Sequence, residues 1–204
     1  GLDYATFGNH EFDIGEEQFN ARMSESKFNW VSSNVTNQNL QPFPKVPTSQ
    51  IIRIQNQYGR VMKVGLFGVT IDSNKKPYVA YQDYMEKAQE QVAILRPQVD
   101  VLVALTHLDL ADDIRLAETL PQIDLIMGGH EHENILVRRG SDLTPIAKAD
   151  ANARSAYIHR ISYNRATKKL SLSHELKILD STIPSDPTTE REVNKWIEAG
   201  FAGF

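Results

Sequence analysis

The sequence predicts an α/β fold with a largely parallel sheet at its centre, and three features of the chain lead to that class. Apolar, β-branched runs at residues 61–69, 99–107 and 123–130 are typical of strands that are buried on both faces. Two stretches with helical periodicity separate these runs, and strands that alternate with helices pair in parallel through right-handed crossovers. After residue 132 apolar and polar residues alternate, which indicates an antiparallel meander with one face in water.

Composition limits what the chain can do. Its 204 residues suffice for one domain with a substantial core, or at most for two small ones. With 22 basic and 26 acidic residues, the net charge of -4 offers no footprint for nucleic acid or an anionic membrane, and we expect neither as a partner. No apolar run is long enough to span a bilayer. The absence of cysteine excludes disulfides, thiolate zinc sites and a cysteine nucleophile, and leaves the compartment open.

Up to residue 70 the sequence predicts short elements and one hairpin. Residues 16–26 carry acids in the first turn and apolar side chains at helical spacing, so we expect a helix there. Pro42, Pro44 and Pro47 exclude regular structure from the loop that contains them. The β-rich runs on both sides of Gln57-Tyr58-Gly59 predict a hairpin. Two further short strands are expected at residues 2–7 and 28–35.

The middle and end of the chain are predicted in the same way. Apolar residues at a helical period predict an amphipathic helix over residues 84–95, ended by Pro97, and a second helix over 110–120, ended by Pro121. The meander is expected to contain a hairpin turn at residues 164–169. Its strands are expected within residues 133–139, 144–150, 155–164 and 169–179.

Four of the six histidines fall at the ends of predicted strands. His10 follows a Gly-Asn pair, and His107 closes the run at residues 99–107. His130 and His132 form Gly-Gly-His-Glu-His after the next strand. The carboxyl ends of neighbouring parallel strands line one crevice, where an all-nitrogen-and-oxygen donor set suits Zn, Mn, Fe or Ni. Each histidine taken singly is more often structural or solvated, but their ordered combination predicts a metal site.

Three motifs together resemble a known family. The stretches GNHEFD, ALTHL and GGHEH resemble consecutive motifs of the calcineurin-like metallophosphoesterases. Asp13, three residues after His10, and the segment TPIAKADANARSAY narrow the resemblance to the 5'-nucleotidase branch. The resemblance covers nearly the whole chain. It implies an α/β fold of the αββα sandwich type with mixed sheets, here without its opening strands.

The resemblance also implies a two-metal phosphoesterase that acts on a small phosphoester, in this branch a nucleotide. Two divalent ions, such as Zn, Mn or Fe, would lower the pKa of a bridging water and neutralise charge during an in-line displacement. The implied metal ligands are Asn9, His107 and His130 for one ion and His132 for the other.

The remaining two residues of the first motif have implied catalytic roles. In the family its His binds no metal but contacts the phosphate and helps the leaving group depart, a role that matches His10. The Asp three residues on holds that His, which matches Asp13, and such a carboxylate fixes the tautomer of an imidazole acid. Gly8 is expected to let the chain turn sharply so that Asn9 and His10 both face the crevice.

Two earlier family motifs, an Asp-x-His and a Gly-Asp, have no counterpart here. We therefore expect little or no phosphatase activity from the 204 residues alone, and an unpaired sheet edge through which copies could associate. Residues 1–183 are expected to form part of the catalytic domain. Residues 184–204 are expected to be a linker and a helix capped by Thr188 or Thr189. The resemblance implies that they lead toward a further substrate domain, and Phe201 and Phe204, which would be unusual in a free tail, also suggest that the chain continues.

Two alternatives stay open at this stage. The chain could be a non-catalytic binding module that keeps the phosphoesterase fold without the metal centre. It could also hold a structural zinc ion through His107, His130 and His132, in which case a closed tetrahedral shell is expected.

Overall fold

Twelve strands and four α-helices follow one another along residues 1–201, the part of the chain that the structure, a computed structural model, describes. The strands are β1 (Tyr4–Ala5), β2 (Asn29–Trp30), β3 (Val35–Asn37), β4 (Ser49–Gln55), β5 (Val61–Thr70), β6 (Val79–Tyr81), β7 (Val101–His107), β8 (Leu125–Gly128), β9 (Ile135–Arg139), β10 (Thr144–Lys148), β11 (Ser155–Asn164) and β12 (Lys169–Ile178). The helices are α1 (Glu16–Glu25), α2 (Tyr84–Leu95), α3 (Leu110–Thr119) and α4 (Pro187–Phe201). Short 3-10 turns form at His10–Phe12 and Arg96–Gln98.

The central sheet is mixed and has six strands in the order β4-β5-β7-β8-β10-β9. Strands β5, β7, β8 and β10 run parallel, while β4 and β9 are antiparallel edges. The predicted strand–helix–strand–helix–strand unit is therefore confirmed, as are the β4–β5 hairpin and the mixed α/β class. The register pairs Thr70 with His107 and Thr106 with Gly128, which aligns the carboxyl ends of β5, β7 and β8 at one edge.

Strand β10 corrects the predicted meander. It lies between β8 and β9, parallel to β8, and all five of its residues are buried. The pattern misled because polar Thr144 and Lys148 suggested a wet face, whereas Lys148 is buried with its charge paired. Strands β11 and β12 form a separate antiparallel ribbon whose turn falls at residues 164–169, as predicted.

Each face of the central sheet has its own cover. Side chains of β5, β7 and β8 alternate between the faces, so one set packs under α2 and α3 and the other under the β-ribbons. The helix side contains Phe67, Val92, Leu102, Ala104, Leu116 and Ile126 among others. The ribbon side contains Val31, Val64, Val101, Val103 and Leu125, with Ile161 and Leu172 from β11 and β12 packed against them.

A cluster of aromatic rings fixes the segment that carries the first motif. Phe7 and Phe12 are fully buried, and their ring centroids are 5.3 Å apart. The Trp30 ring stacks on Phe7 at 4.7 Å, and Phe19 of α1 lies 5.3 Å from Phe12. Buried aromatic rings therefore anchor the chain on both sides of Gly8–Glu11, which limits how far that turn can move.

Two smaller predictions are wrong in detail. The strand expected at residues 28–35 is interrupted between β2 and β3, where the side chain of the buried Asn34 bonds the backbone N–H and C=O of Thr70 at the end of β5. Helix α4 is capped by Asp186 and not by Thr188 or Thr189, because the Asp186 carboxylate accepts hydrogen bonds from the N–H groups of those two residues.

Residues 202–204, including Phe204, lie outside the described residues. None of the helices in residues 1–201 has the length and apolar character needed to cross a bilayer.

Candidate active site

Three of the predicted ligands meet at the carboxyl edge of the central sheet. His107 is the last residue of β7, and His130 follows β8 by two residues. The distance from His107 Nε2 to Asn9 Oδ1 is 2.8 Å, and the distance from His107 Nε2 to His130 Nδ1 is 3.3 Å. Asn9 and His107, separated by 98 positions, thus form one donor cluster with His130.

Two glycines leave room for the His107 ring. A Cβ atom on Gly8 would lie 2.8 Å from His107 Cε1, and one on Gly129 would lie 3.0 Å from His107 Nδ1. The role expected of Gly8 was a sharp turn, yet its φ is not positive. Gly8 is needed because the imidazole passes close to its backbone, and the same reasoning applies to Gly129.

His130 adopts a backbone conformation that non-glycine residues seldom show. Its φ is +78°, in the left-handed region, and such residues persist where surrounding contacts hold them. The ring is held at both nitrogens, since Nε2 lies 3.1 Å from Asp109 Oδ1 and Nδ1 faces His107. The strained backbone therefore places an imidazole in the donor cluster.

The electrostatics of the cluster favour a neutral His107. Burial lowers its pKa to about 4, and the positive charges of His130, Lys148 and His10 add to the effect. A neutral imidazole is the form that binds metal ions. Near neutral pH His107 consequently needs no deprotonation before it can act as a ligand.

His10 and Asp13 form a separate pair at the rim of the cluster. His10 Nδ1 lies 2.8 Å from Asp13 Oδ2, and both side chains are more than half exposed. The hydrogen bond from His10 holds the pKa of Asp13 below its usual range, with Asn74 and Lys76 adding to the effect. Asp13 is thus a carboxylate that orients one nitrogen of His10 and leaves the other facing solvent.

His132 is not brought into the cluster. It is exposed, and within residues 1–201 no hydrogen bond or ion pair joins its ring to Asn9, His107 or His130. Counting His, Asp and Glu alone, the described part of the chain contains no group of three that could hold a metal ion. The third donor beside His107 and His130 is the amide oxygen of Asn9.

A buried cation beneath the cluster was not predicted. Lys148 is fully buried, and its Nζ lies 2.8 Å from Asp113 Oδ2 and also pairs with Glu131. The same nitrogen donates to the carbonyls of Leu108 at 2.6 Å and Gly129 at 2.9 Å. Lys148 therefore ties the loop after β7 to the loop after β8. The available signal was a lysine directly after the apolar residues Pro145, Ile146 and Ala147.

The three convergent donors suit a small divalent cation. Donor atoms at neighbouring corners of the shell around Zn²⁺, whose bonds to His nitrogen are about 2.0–2.1 Å long, lie roughly 3 Å apart. The two donor–donor distances of 2.8 and 3.3 Å agree with that spacing. The residues present thus fit one cation between Asn9, His107 and His130.

The fold and the donor cluster define the class of protein. The model of the calcineurin-like phosphoesterase family matches residues 2–134, and the chain belongs to that family. Members of the family use divalent metal ions, in agreement with the nitrogen and oxygen donors at the sheet edge.

Particular relatives extend the comparison. The chain is 30% identical over 166 residues to the trifunctional nucleotide phosphoesterase protein YfkN of Bacillus subtilis, covering 65% of this chain and 11% of that one. It is 25% identical over 227 residues to human 5'-nucleotidase, covering 95% and 38%. The crystal structure of a 5'-nucleotidase precursor from Thermus thermophilus shares the fold, with a TM-score of 0.78, 22% identity, and coverage of 98% of this chain and 43% of that one. The chain therefore spans less than half the length of each of these relatives.

Proposed function

We propose that the chain supplies one cation site and the leaving-group acid of a metal-dependent phosphoester hydrolase that acts on nucleotides, in the manner of a 5'-nucleotidase. The observation that carries the proposal is that donor atoms of Asn9 and His130 lie 2.8 and 3.3 Å from His107 Nε2, with the His10–Asp13 pair on the rim. The names of the relatives, a nucleotide phosphoesterase and a 5'-nucleotidase, support a nucleotide as the substrate class.

Each residue has a distinct part in this proposal. Asn9, His107 and His130 would hold the cation, which when bound polarises a phosphate oxygen and lowers the pKa of a bound water. His10 would give a proton from its exposed nitrogen to the departing oxygen of the ester. Asp13 would keep the other nitrogen protonated and stabilise the imidazolium. The exposure of His10 leaves room for a substrate against this nitrogen.

A second ion would be held weakly by the described residues. His132 is the proposed ligand for it, but the ring is exposed and stands apart from the other three. Two divalent cations a few ångströms apart repel each other strongly unless a carboxylate between them compensates. We therefore propose that the 204 residues bind one cation well and turn over slowly.

Cation binding tests the site directly. Titrating the chain with Zn²⁺ or Mn²⁺ by calorimetry should show one equivalent bound, lost in His107→Ala and His130→Ala. The matched control is His159→Ala, which changes a histidine of the β11–β12 ribbon. Absence of binding to the unmodified chain, or equal loss in the control variant, would overturn the site.

Phosphate release tests the chemistry. A panel of a nucleoside 5'-monophosphate, a 2',3'-cyclic nucleotide and a nucleotide sugar should show slow, metal-dependent hydrolysis of at least one compound. His10→Ala should lower that rate by about 100-fold, a typical contribution of a general acid. Full-rate turnover would sink the proposal of a weak second site. If the chain binds a cation but hydrolyses none of the compounds, and His10→Ala binds the cation equally well, the result would support a non-catalytic binding module instead.

A further inference from the structure

Asn74 contacts the first motif from a distant part of the chain. It lies between β5 and β6, and its side-chain Nδ2 donates to two acceptors, the backbone carbonyl of Asn9 and Oδ1 of Asp13, each at 2.7 Å. These partners are 65 and 61 residues away in sequence. One amide group thus joins the backbone of a proposed cation ligand to the carboxylate that faces His10.

The backbone of Asn74 is adapted to this position. Its φ is +56°, in the left-handed region that asparagine tolerates better than most residues. The side chain is half-buried, so its two N–H groups are directed at protein acceptors and not only at water. Among residues 1–201, Asn74 is the residue whose side chain hydrogen-bonds both ends of the turn that carries His10.

We propose that Asn74 is a positioning residue for His10, an inference that rests on the proposed phosphoesterase function. Asp13 uses Oδ2 for His10 Nδ1 and Oδ1 for Asn74. A carboxylate held at both oxygens cannot rotate freely, so the imidazole that depends on it keeps one orientation. The hydrogen bond from Asn74 to the backbone carbonyl of Asn9 keeps His10 at a constant distance from Asn9, the proposed cation ligand that precedes it.

The His10–Asp13 pair needs Asn74 as a third partner because both of its side chains are exposed. His10 and Asp13 are 73% and 55% exposed, and an exposed ion pair contributes little by itself because water and salt screen it. Lys76 also lies near Asp13, but the hydrogen bond of Asn74 is directional whereas the attraction of Lys76 is not. The amide of Asn74 therefore sets where the carboxylate points.

Asn74→Gly removes the amide without adding strain, because glycine adopts a positive φ readily. Asn74→Asp keeps the shape but turns an acceptor toward both partners, and should be the more harmful. The matched control is Asn152→Gly, since Asn152 also has a positive φ, of 58°, in a different loop. Lys76→Gln removes the positive charge near Asp13 but leaves the hydrogen bond from Asn74 in place, so the two contributions can be told apart.

Leaving-group dependence distinguishes positioning from a structural defect. A nucleoside oxygen needs a proton to depart, whereas p-nitrophenolate departs without one. Asn74→Gly should lower kcat for the nucleotide by about tenfold, part of the contribution of a general acid, and change kcat for p-nitrophenyl phosphate by less than about twofold. Equal losses for both substrates, or no loss for either, would overturn the inference.

A second readout does not depend on turnover. Nitrogen NMR of the metal-free chain should show His10 protonated at Nδ1 in the parent and in Asn152→Gly, and a mixture of tautomers in Asn74→Gly. An unchanged tautomer in Asn74→Gly would overturn the inference even if the parent hydrolyses nothing. A chain that shows the tautomer change but no hydrolysis would instead count against the proposed function alone.

Discussion

One substitution at the Lys148 ion pairs should cost a large part of the stability of the chain. Lys148→Met keeps most of the side-chain volume but leaves Asp113, which is fully buried, without its cation. Removing one partner of a buried pair destabilises a protein by about 3–5 kcal/mol. In a chain of this size each kcal/mol lowers Tm by about 2–4 °C, so a fall of about 6–20 °C is expected.

The loss of stability in Lys148→Met should depend on pH. Burial raises the pKa of Asp113 to about 6 although Lys148 beside it acts in the opposite direction. Without Lys148 this pKa rises further, and the folded state holds a proton that the unfolded state, with a pKa near 3.9, has released. Because the folded state then binds more protons than the unfolded state, its stability falls as pH rises from about 4 through the raised pKa. The loss in Lys148→Met should therefore be larger at pH 8 than at pH 5.

Denaturant unfolding at pH 5, 7 and 8 measures this loss. Lys177→Met, at an exposed position of β12, is the matched control and should change stability by less than about 0.5 kcal/mol. The double variant Asp113→Leu with Lys148→Met should recover most of the loss, because it removes the unpaired charge. A loss below about 1 kcal/mol, or one that is equal at pH 5 and pH 8, would refute the reasoning.

Three further substitutions test other parts of the structure. Phe12→Ala empties a fully buried position and should cost about 3–5 kcal/mol in urea unfolding; a cost under about 1 kcal/mol would mean the aromatic cluster is not packed. Asp186→Ala should cost about 1 kcal/mol within α4, seen as faster hydrogen exchange there, and unchanged exchange would argue against the cap. Gly8→Ala puts a Cβ 2.8 Å from His107 Cε1 and should weaken Zn²⁺ binding about 10- to 100-fold; unchanged affinity would contradict the role of His107.

The parallel core was predictable because its signal is local. The run at residues 99–107 is apolar throughout, and β7 occupies residues 101–107 of it with both faces covered. The helix predicted over residues 84–95 has the same bounds as α2, since the apolar spacing that predicts it lies within those twelve positions. The meeting of His107 and His130 followed from topology, because parallel neighbouring strands end at one edge.

The features that the sequence did not predict depend on partners far away in sequence. Nothing near Asn74 indicates that its amide contacts Asn9 and Asp13, and nothing near Lys148 indicates that Glu131 and Asp113 neutralise it. For the same reason the polar end of β10 suggested a wet strand. A single sequence records a residue type, whereas these roles depend on which side chain the fold places opposite it.

The position of β10 has a consequence for the order in which the molecule folds. The chain leaves β8, passes through residues 129–134, forms the edge strand β9, and only then returns as β10 to lie beside β8. The loop that carries His130 is therefore not fixed at its far end until β10 pairs with β8. We expect the competence to bind a cation to appear during refolding only when the amides of β10 gain protection from hydrogen exchange.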